Sequence, residues 1–72
     1  MDIHEKIELI EACMDLEEGT LKLEDNLWEF EEWDSLTALS IIASVAEKTH
    51  KTLTGDELRK VTTVSDIVKL MD

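Results

Sequence analysis

The sequence predicts an all-α fold: a small bundle of three main helices and one short helix, with a long loop between the first and second helices. Two observations support this prediction. Apolar residues recur at helical spacing after residues that favour helix starts, and the composition has no proline and only two glycines to interrupt helices. The chain is also 43% hydrophobic, so its 72 residues should fold as a single domain, residues 1–72, and not as a disordered acidic tail.

The first helix begins after Asp2, which forms a variant of the capping box with Glu5. An apolar stripe follows at helical spacing: Ile3, Ile7, Leu9, Ile10, Cys13, Met14 and Leu16. The polar side chains are expected to face away from it: Glu5, Lys6, Glu8, Glu11 and Asp15. We expect Gly19 to end the helix after about four turns, because glycine readily adopts the left-handed conformation that follows helices.

The loop from Gly19 to Asp34 has no clear hydrophobic period, and a loop of this length either carries function or contains a short helical turn. Its aromatic residues are expected to anchor it on the core: Trp28, Phe30 and Trp33. Its carboxylates are Glu24, Asp25, Glu29, Glu31, Glu32 and Asp34. They lack the alternating ligands and central glycine of a calcium-binding loop, which favours a solvated acidic surface over a cation site.

The second helix is predicted over Leu36 to Lys48, with either Asp34 or Ser35 as its N-cap. Its polar positions trace one narrow stripe: Thr37, Ser40, Ser44 and Glu47. Almost all its other residues are apolar, so the helix either lies at the centre of the core or keeps part of its apolar arc for a partner.

Two further capping pairs predict the remaining helices. Thr54 and Glu57 begin a short helix that ends near Val61, and Thr63 and Asp66 begin the last helix.

The net charge of −11 excludes several classes of function. A surface this negative repels nucleic acid and anionic membranes, so basic protein surfaces are the expected partners. The charge is unevenly placed: residues 1–34 carry 13 acidic and 2 basic side chains, whereas residues 35–72 carry five of each. The longest mainly apolar run, 36–46, is too short to cross a bilayer, which takes about 20 residues, so we expect no membrane insertion.

The remaining composition favours a cytoplasmic monomer that is not an enzyme. The start of the chain lacks the basic and apolar segments of a signal peptide, and the single cysteine, Cys13, fits a reducing compartment. A chain this short cannot enclose a deep catalytic cleft. No Cys/His spacing resembles a zinc site, so no metal ligand is predicted, and His4 and His50 are expected at the surface.

The run Trp33-Asp34-Ser35-Leu36, after a long loop and at the start of the second helix, resembles the Asp-Ser-Leu attachment motif of acyl carrier proteins. The resemblance covers nearly the whole chain: its length, the motif near the middle, the acidic composition and the Val61-Thr62-Thr63-Val64 run at the last helix. It implies an acyl-carrier-protein-like bundle. It also implies that Ser35 carries 4′-phosphopantetheine, transferred from coenzyme A by a phosphopantetheinyl transferase with magnesium.

The resemblance further implies that Asp34 helps the transferase to position the metal and coenzyme A, and that Leu36 contacts partner enzymes. A hydroxyl at a helix N-terminus is a favourable place for a phosphodiester, because free N–H groups and the positive dipole end face it. The alternative for Ser35 is a plain N-cap serine. The residues predicted to dock partners are Leu36, Leu39, Ser40, Ala43 and Glu47. Core packing is the alternative for the apolar ones, above all for Leu39.

The second helix differs from that of carriers that serve fatty-acid synthesis, which is usually rich in carboxylates. In this sequence Glu47 is the only charged residue of the polar stripe. We therefore expect a carrier of acyl or aminoacyl groups in a specialised pathway, such as polysaccharide modification, polyketide assembly or amino-acyl activation. Its partners would be loading and acyl-transfer enzymes with basic surfaces. The alternatives are a housekeeping fatty-acid carrier and a non-covalent acidic adaptor. A hydrolase with Ser35 as nucleophile ranks last, because neither a histidine base nor a glycine turn for an oxyanion hole is evident.

Overall fold

The computed structural model of the chain describes residues 2–72 and contains four α-helices with no β-strand in that range. They are α1 (Ile3–Cys13), α2 (Ser35–Thr49), α3 (Gly55–Lys60) and α4 (Val64–Leu70), and a single 3₁₀ turn (Leu27–Glu29) lies in the long loop between α1 and α2. The predicted helical bundle, and the helical turn offered as one possibility for the loop, are confirmed. Across residues 2–72, no helix has the length and apolarity that crossing a membrane requires.

All three predicted capping boxes form. In each box the side chain of the N-cap residue accepts a hydrogen bond from the backbone N–H three residues later, and the side chain of that later residue bonds back to the cap. The pairs are Asp2 with Glu5, Thr54 with Glu57, and Thr63 with Asp66. Since these contacts are local, a short stretch of sequence is enough to specify them.

The predicted end of α1 at Gly19 is wrong. The helix stops at Cys13, with Met14 as its C-cap, and Asp15 adopts the left-handed conformation at φ 58°. The backbone N–H of Leu16 then donates to the carbonyl oxygen of Glu11 over 2.8 Å, which turns the chain away from the helix axis. Gly19 is also left-handed, at φ 88°, but it serves a separate turn further along.

The core is built from apolar side chains of all four helices and of the 3₁₀ turn. Its largest fully buried members are Ile10, Met14, Leu27, Ile41, Val45, Leu58, Val64 and Ile67. One residue of the predicted α1 stripe does not join it: Ile3 at the start of the helix is 53% exposed.

Two polar residues of α1 that were expected to face solvent are buried. Lys6 is 7% exposed, and its ammonium group pairs with the carboxylate of Asp72. The Glu11 side chain is 2% exposed, and its Oε2 accepts a hydrogen bond of 2.8 Å from the backbone N–H of Leu21. Periodicity within α1 could not show this burial, because both partners lie elsewhere in the chain.

The long loop is fixed to the connection between α3 and α4 by backbone hydrogen bonds. The N–H of Leu27 donates to the carbonyl oxygen of Thr62 over 2.9 Å, next to an isolated antiparallel bridge between Asn26 and Thr63. Further bonds join the N–H groups of residues 64 and 65 to the carbonyl oxygens of residues 25 and 23, at 3.1 and 3.0 Å. These bonds fix the position of the loop before it enters α2.

Candidate functional site

The site is centred on Ser35, the first residue of α2, whose side chain is exposed. Asp34 has extended backbone angles, and its Oδ1 accepts a hydrogen bond of 2.9 Å from the N–H of Thr37. Asp34 is thus the N-cap, which decides between the two residues that the sequence left open. Within residues 2–72, the hydroxyl of Ser35 has no hydrogen-bond partner, so it has no capping task.

The backbone at this helix start favours an anionic group. The N–H of Thr37 is bound by the Asp34 side chain, and the N–H of Ala38 donates to the Asp34 carbonyl oxygen over 3.0 Å. The N–H groups of Ser35 and Leu36 come before the first intrahelical bond and have no acceptor among the described residues. They lie at the positive end of a 15-residue helix, where negative charge is stabilised.

The sequence placed Thr37 in the polar stripe of the second helix, but the structure buries this residue. It is 7% exposed, and its Oγ1 donates to the carbonyl oxygen of Glu32 over 2.6 Å. This bond holds the segment before Asp34 against the first turn of α2. Thr37 therefore helps to fix the position of Asp34 and Ser35.

The five residues of α2 that were predicted to dock partners are all exposed, and we call them the docking face: Leu36, Leu39, Ser40, Ala43 and Glu47. Their spacing of three or four residues places them on one side of the helix. Leu36 is 75% exposed and Leu39 is 62% exposed, so neither is a core residue. Only Glu47 is charged. The remaining polar position predicted for α2, Ser44, is half-buried, and its Oγ lies 3.6 Å from the Sγ of the half-buried Cys13.

A groove of about 460 Å³ opens beside Ser35 between α2 and α3. Its lining is Trp28, Trp33, Asp34, Ser35, Ala38, Leu39, Ile42, Gly55, Leu58 and Arg59. Local sequence patterns did not reveal this groove, because its walls come from three separate segments. The only sequence signal for the groove was the wide apolar arc of the second helix, which is wider than a helix needs to pack one face on the core.

The two tryptophans form one wall of this groove. Trp33 is buried, as expected for a loop anchor, whereas Trp28 is 55% exposed. Their rings meet edge to face with centroids 6.1 Å apart, and the Trp28 Nε1–H donates to the carbonyl oxygen of Val61 over 2.7 Å. Trp28 is therefore held in place although half of it faces solvent.

The acidic side chains of the loop are mostly exposed, in agreement with a solvated surface. Asp25 is half-buried, and its Oδ2 accepts a hydrogen bond of 2.9 Å from the N–H of Lys22. Within residues 2–72, the loop carboxylates bring no three ligand atoms together at metal-binding distance.

No protein-family model matches this chain, and no curated protein does. Among solved structures, it is similar to the solution NMR structure of the holo acyl carrier protein from Geobacter metallireducens. The TM-score is 0.70 and the sequence identity is 25%, over 90% of this chain and 75% of that chain. The chain therefore has an acyl-carrier-protein-like fold, which is a carrier-protein fold and not an enzyme fold.

Proposed function

We propose that this chain is a carrier protein that holds acyl or aminoacyl intermediates as thioesters on 4′-phosphopantetheine attached to Ser35. The observation that carries the proposal is the Ser35 hydroxyl: exposed, without a hydrogen-bond partner in residues 2–72, and at the start of α2 in a fold similar to that of a holo acyl carrier protein. When bound, the prosthetic group supplies a flexible thiol that forms and exchanges thioesters.

The residues around Ser35 fit this group. The N–H groups of Ser35 and Leu36 are free to face a phosphodiester on the serine oxygen. The groove beside Ser35 offers an apolar surface from Ala38, Ile42 and Leu58 on which an arm or its cargo can lie. The chain binds and orients the group, and catalysis belongs to the partner enzymes.

Asp34 is proposed to assist the phosphopantetheinyl transferase. Its Oδ1 caps α2, while its Oδ2 has no hydrogen bond within residues 2–72 and lies on an exposed residue. An exposed carboxylate oxygen next to the modified hydroxyl is a suitable ligand for the magnesium ion that the transferase uses with coenzyme A.

The docking face is proposed to select the partner enzymes, and its neutrality supports a specialised pathway over housekeeping fatty-acid synthesis. Leu36 and Leu39 present apolar contact area, Ser40 presents a hydroxyl, and Glu47 alone carries charge. Basic surfaces on loading and acyl-transfer enzymes would instead face the acidic loop of residues 24–34. Electrostatic attraction of this kind raises the rate of encounter more than it raises the affinity.

The test is intact mass after co-expression with a broad-specificity phosphopantetheinyl transferase. We expect the protein to gain the mass of one phosphopantetheine and the Ser35→Ala variant to gain none. The Ser65→Ala variant, which removes a serine hydroxyl of α4 outside the docking face, should gain it fully. If a reference carrier is converted while this protein is not, the proposal is wrong and a non-covalent adaptor is the better hypothesis. If Ser35→Ala is still converted, the assigned site is wrong.

A further inference from the structure

A buried carboxylate on α1 lacks a counter-charge. Glu11 is 2% exposed, and no basic side chain forms an ion pair with it within residues 2–72. Its Oε2 accepts a hydrogen bond from the N–H of Leu21. Among the described residues no buried side-chain oxygen lacks a partner, so the unbonded Oε1 reaches solvent at the adjacent cavity. Buried carboxylates are usually paired with a basic group or coordinate a cation, because removing an isolated charge from water is costly.

Glu11 lines a small cavity together with two other carboxylates. The cavity measures about 220 Å³ and is lined by Glu8, Glu11, Ala12, Leu16 and Glu18. No basic residue is among them. The turn after α1, where Asp15 is left-handed, brings Glu18 back beside the helix.

The imidazole of His4 lies close to two of these carboxylates. The Nε2 atom of His4 lies 2.7 Å from Oε1 of Glu8, one helical turn away, and 3.7 Å from Oε1 of Glu18. One ligand atom from each of these residues lies within 4.8 Å of the others. Nitrogen and oxygen ligands of a tetrahedral zinc ion lie about 3.4 Å apart, given bond lengths near 2.0–2.2 Å, so small side-chain rotations would bring the three onto one ion.

We propose that His4, Glu8 and Glu18 form a binding site for a divalent transition-metal ion, with Glu11 adding negative charge from the inner wall of the cavity. One imidazole with two carboxylates suits zinc better than magnesium or calcium, which prefer oxygen ligands alone. The bound ion would join α1 to the turn that carries Glu18. The sequence predicted no metal ligand because the third ligand comes from a turn whose geometry no spacing rule describes.

The experiment is a calorimetric titration of the full chain with zinc at pH 7 and about 150 mM salt, where diffuse attraction by surface charge is largely screened. We expect saturable binding of one ion. Glu18→Gln should weaken it by about tenfold or more, whereas Glu17→Gln, which makes the same charge change at the neighbouring exposed residue, should change it less than about threefold. Equal effects of the two variants, or no saturable binding, would overturn the proposal.

A second pair of variants tests the imidazole. His4→Ala should weaken zinc binding about as much as Glu18→Gln, whereas His50→Asn should leave it unchanged; asparagine tolerates the left-handed backbone that His50 adopts at φ 59°. Circular dichroism checks that each variant is folded. An equal loss in His50→Asn would contradict the assignment. The Ser35→Ala variant should bind zinc as the parent does, so the outcome is independent of the proposed carrier function.

Discussion

Two adjacent residues divide the work at the start of α2. Asp34 stabilises the helix through its bond to the N–H of Thr37, and this leaves the Ser35 hydroxyl free for chemistry. If Ser35 were the cap, its oxygen would be engaged with the backbone, and modification would destabilise the helix. Under the proposed function, the order of the two residues therefore separates helix stability from modification.

Substitution of Asp34 should separate these roles experimentally. Asp34→Ala is expected to lose about 0.5–2 kcal/mol of stability, because the N-cap is removed, whereas Asp34→Asn keeps a capping oxygen and should lose only a few tenths. Both variants should be modified more slowly by the transferase, because both lose the carboxylate. Urea denaturation gives the stabilities and intact mass against time gives the rates. A parental rate for Asp34→Asn would contradict the proposed role of the charge.

Asp66 makes the stability of the fold depend on pH. Its Oδ2 accepts hydrogen bonds of 2.9 and 3.1 Å from the N–H groups of Thr62 and Thr63, and these bonds hold the pKa of the carboxyl below its usual range. The unfolded chain therefore takes up this proton first on acidification. The contribution of Asp66 is complete above the unfolded pKa of about 3.9 and is lost as the pH falls through the folded value.

We therefore expect the Asp66→Asn variant to lose less stability than the parent between about pH 6 and pH 3. Asp56→Asn is the matched control, since Asp56 is an exposed aspartate in the first turn of the neighbouring helix α3. Thermal unfolding at a series of pH values measures the effect. Parallel pH profiles for the parent and Asp66→Asn would show that these hydrogen bonds do not depress the pKa.

The polar residues that sequence reasoning misplaced share one physical cause. Lys6, Glu11 and Thr37 each lie at a position where helical periodicity predicts exposure, yet each is buried because its partner comes from another segment. Such burial depends on tertiary hydrogen bonds. By contrast, the exposure of Leu36 agrees with what the resemblance of the Asp34-Ser35-Leu36 motif implied. The free hydroxyl of Ser35 was one of two outcomes that the sequence left open.

At the scale of elements, helix starts were predictable and the end of α1 was not. A capping box involves two residues three apart, so its signal is contained in the sequence. The end of α1 depends instead on Asp15 adopting a positive φ, which aspartate does only where the surrounding structure requires it. The groove beside Ser35 was also beyond local reasoning, because it exists only once α3 packs against α2.

The 3₁₀ turn should be the anchor of the long loop. Leu27 is fully buried, whereas Leu23 in the same loop is 36% exposed. We expect Leu27→Ala to lose about 2–5 kcal/mol, through lost burial and the cavity that remains, and Leu23→Ala to lose less than about 1 kcal/mol. Urea denaturation measures both values. Similar losses would indicate that the loop is held by its backbone hydrogen bonds alone.

At the scale of the whole molecule, the position of the charge is more informative than its total. The excess of acidic residues lies before Ser35, whereas residues 35–72 have no net charge. The loop that leads to Ser35 is therefore strongly negative, whereas Glu47 is the single charge of the docking face. Under the proposed function, long-range attraction and close fit would depend on these two different surfaces.

A net charge of −11 on a chain of 72 residues should make stability depend on salt. We expect the melting temperature to rise between about 10 and 500 mM potassium chloride, because the Debye length falls from roughly 30 Å to well below 8 Å and screens the mutual repulsion of the carboxylates. Calorimetry or circular dichroism in a metal-free buffer measures it. A constant melting temperature would indicate that attraction between opposite charges balances the repulsion.

The paired indoles beside Ser35 give the protein a built-in optical probe. The chain has two tryptophans and no tyrosine, and both tryptophans line the same groove. Nearly all its near-ultraviolet fluorescence therefore arises within this groove. Trp28, which is half in water, would respond to quenchers and to any group placed over it, while the buried Trp33 would provide the shielded emission for comparison. Attachment at Ser35, loading of cargo and binding of a partner could each be followed without a label.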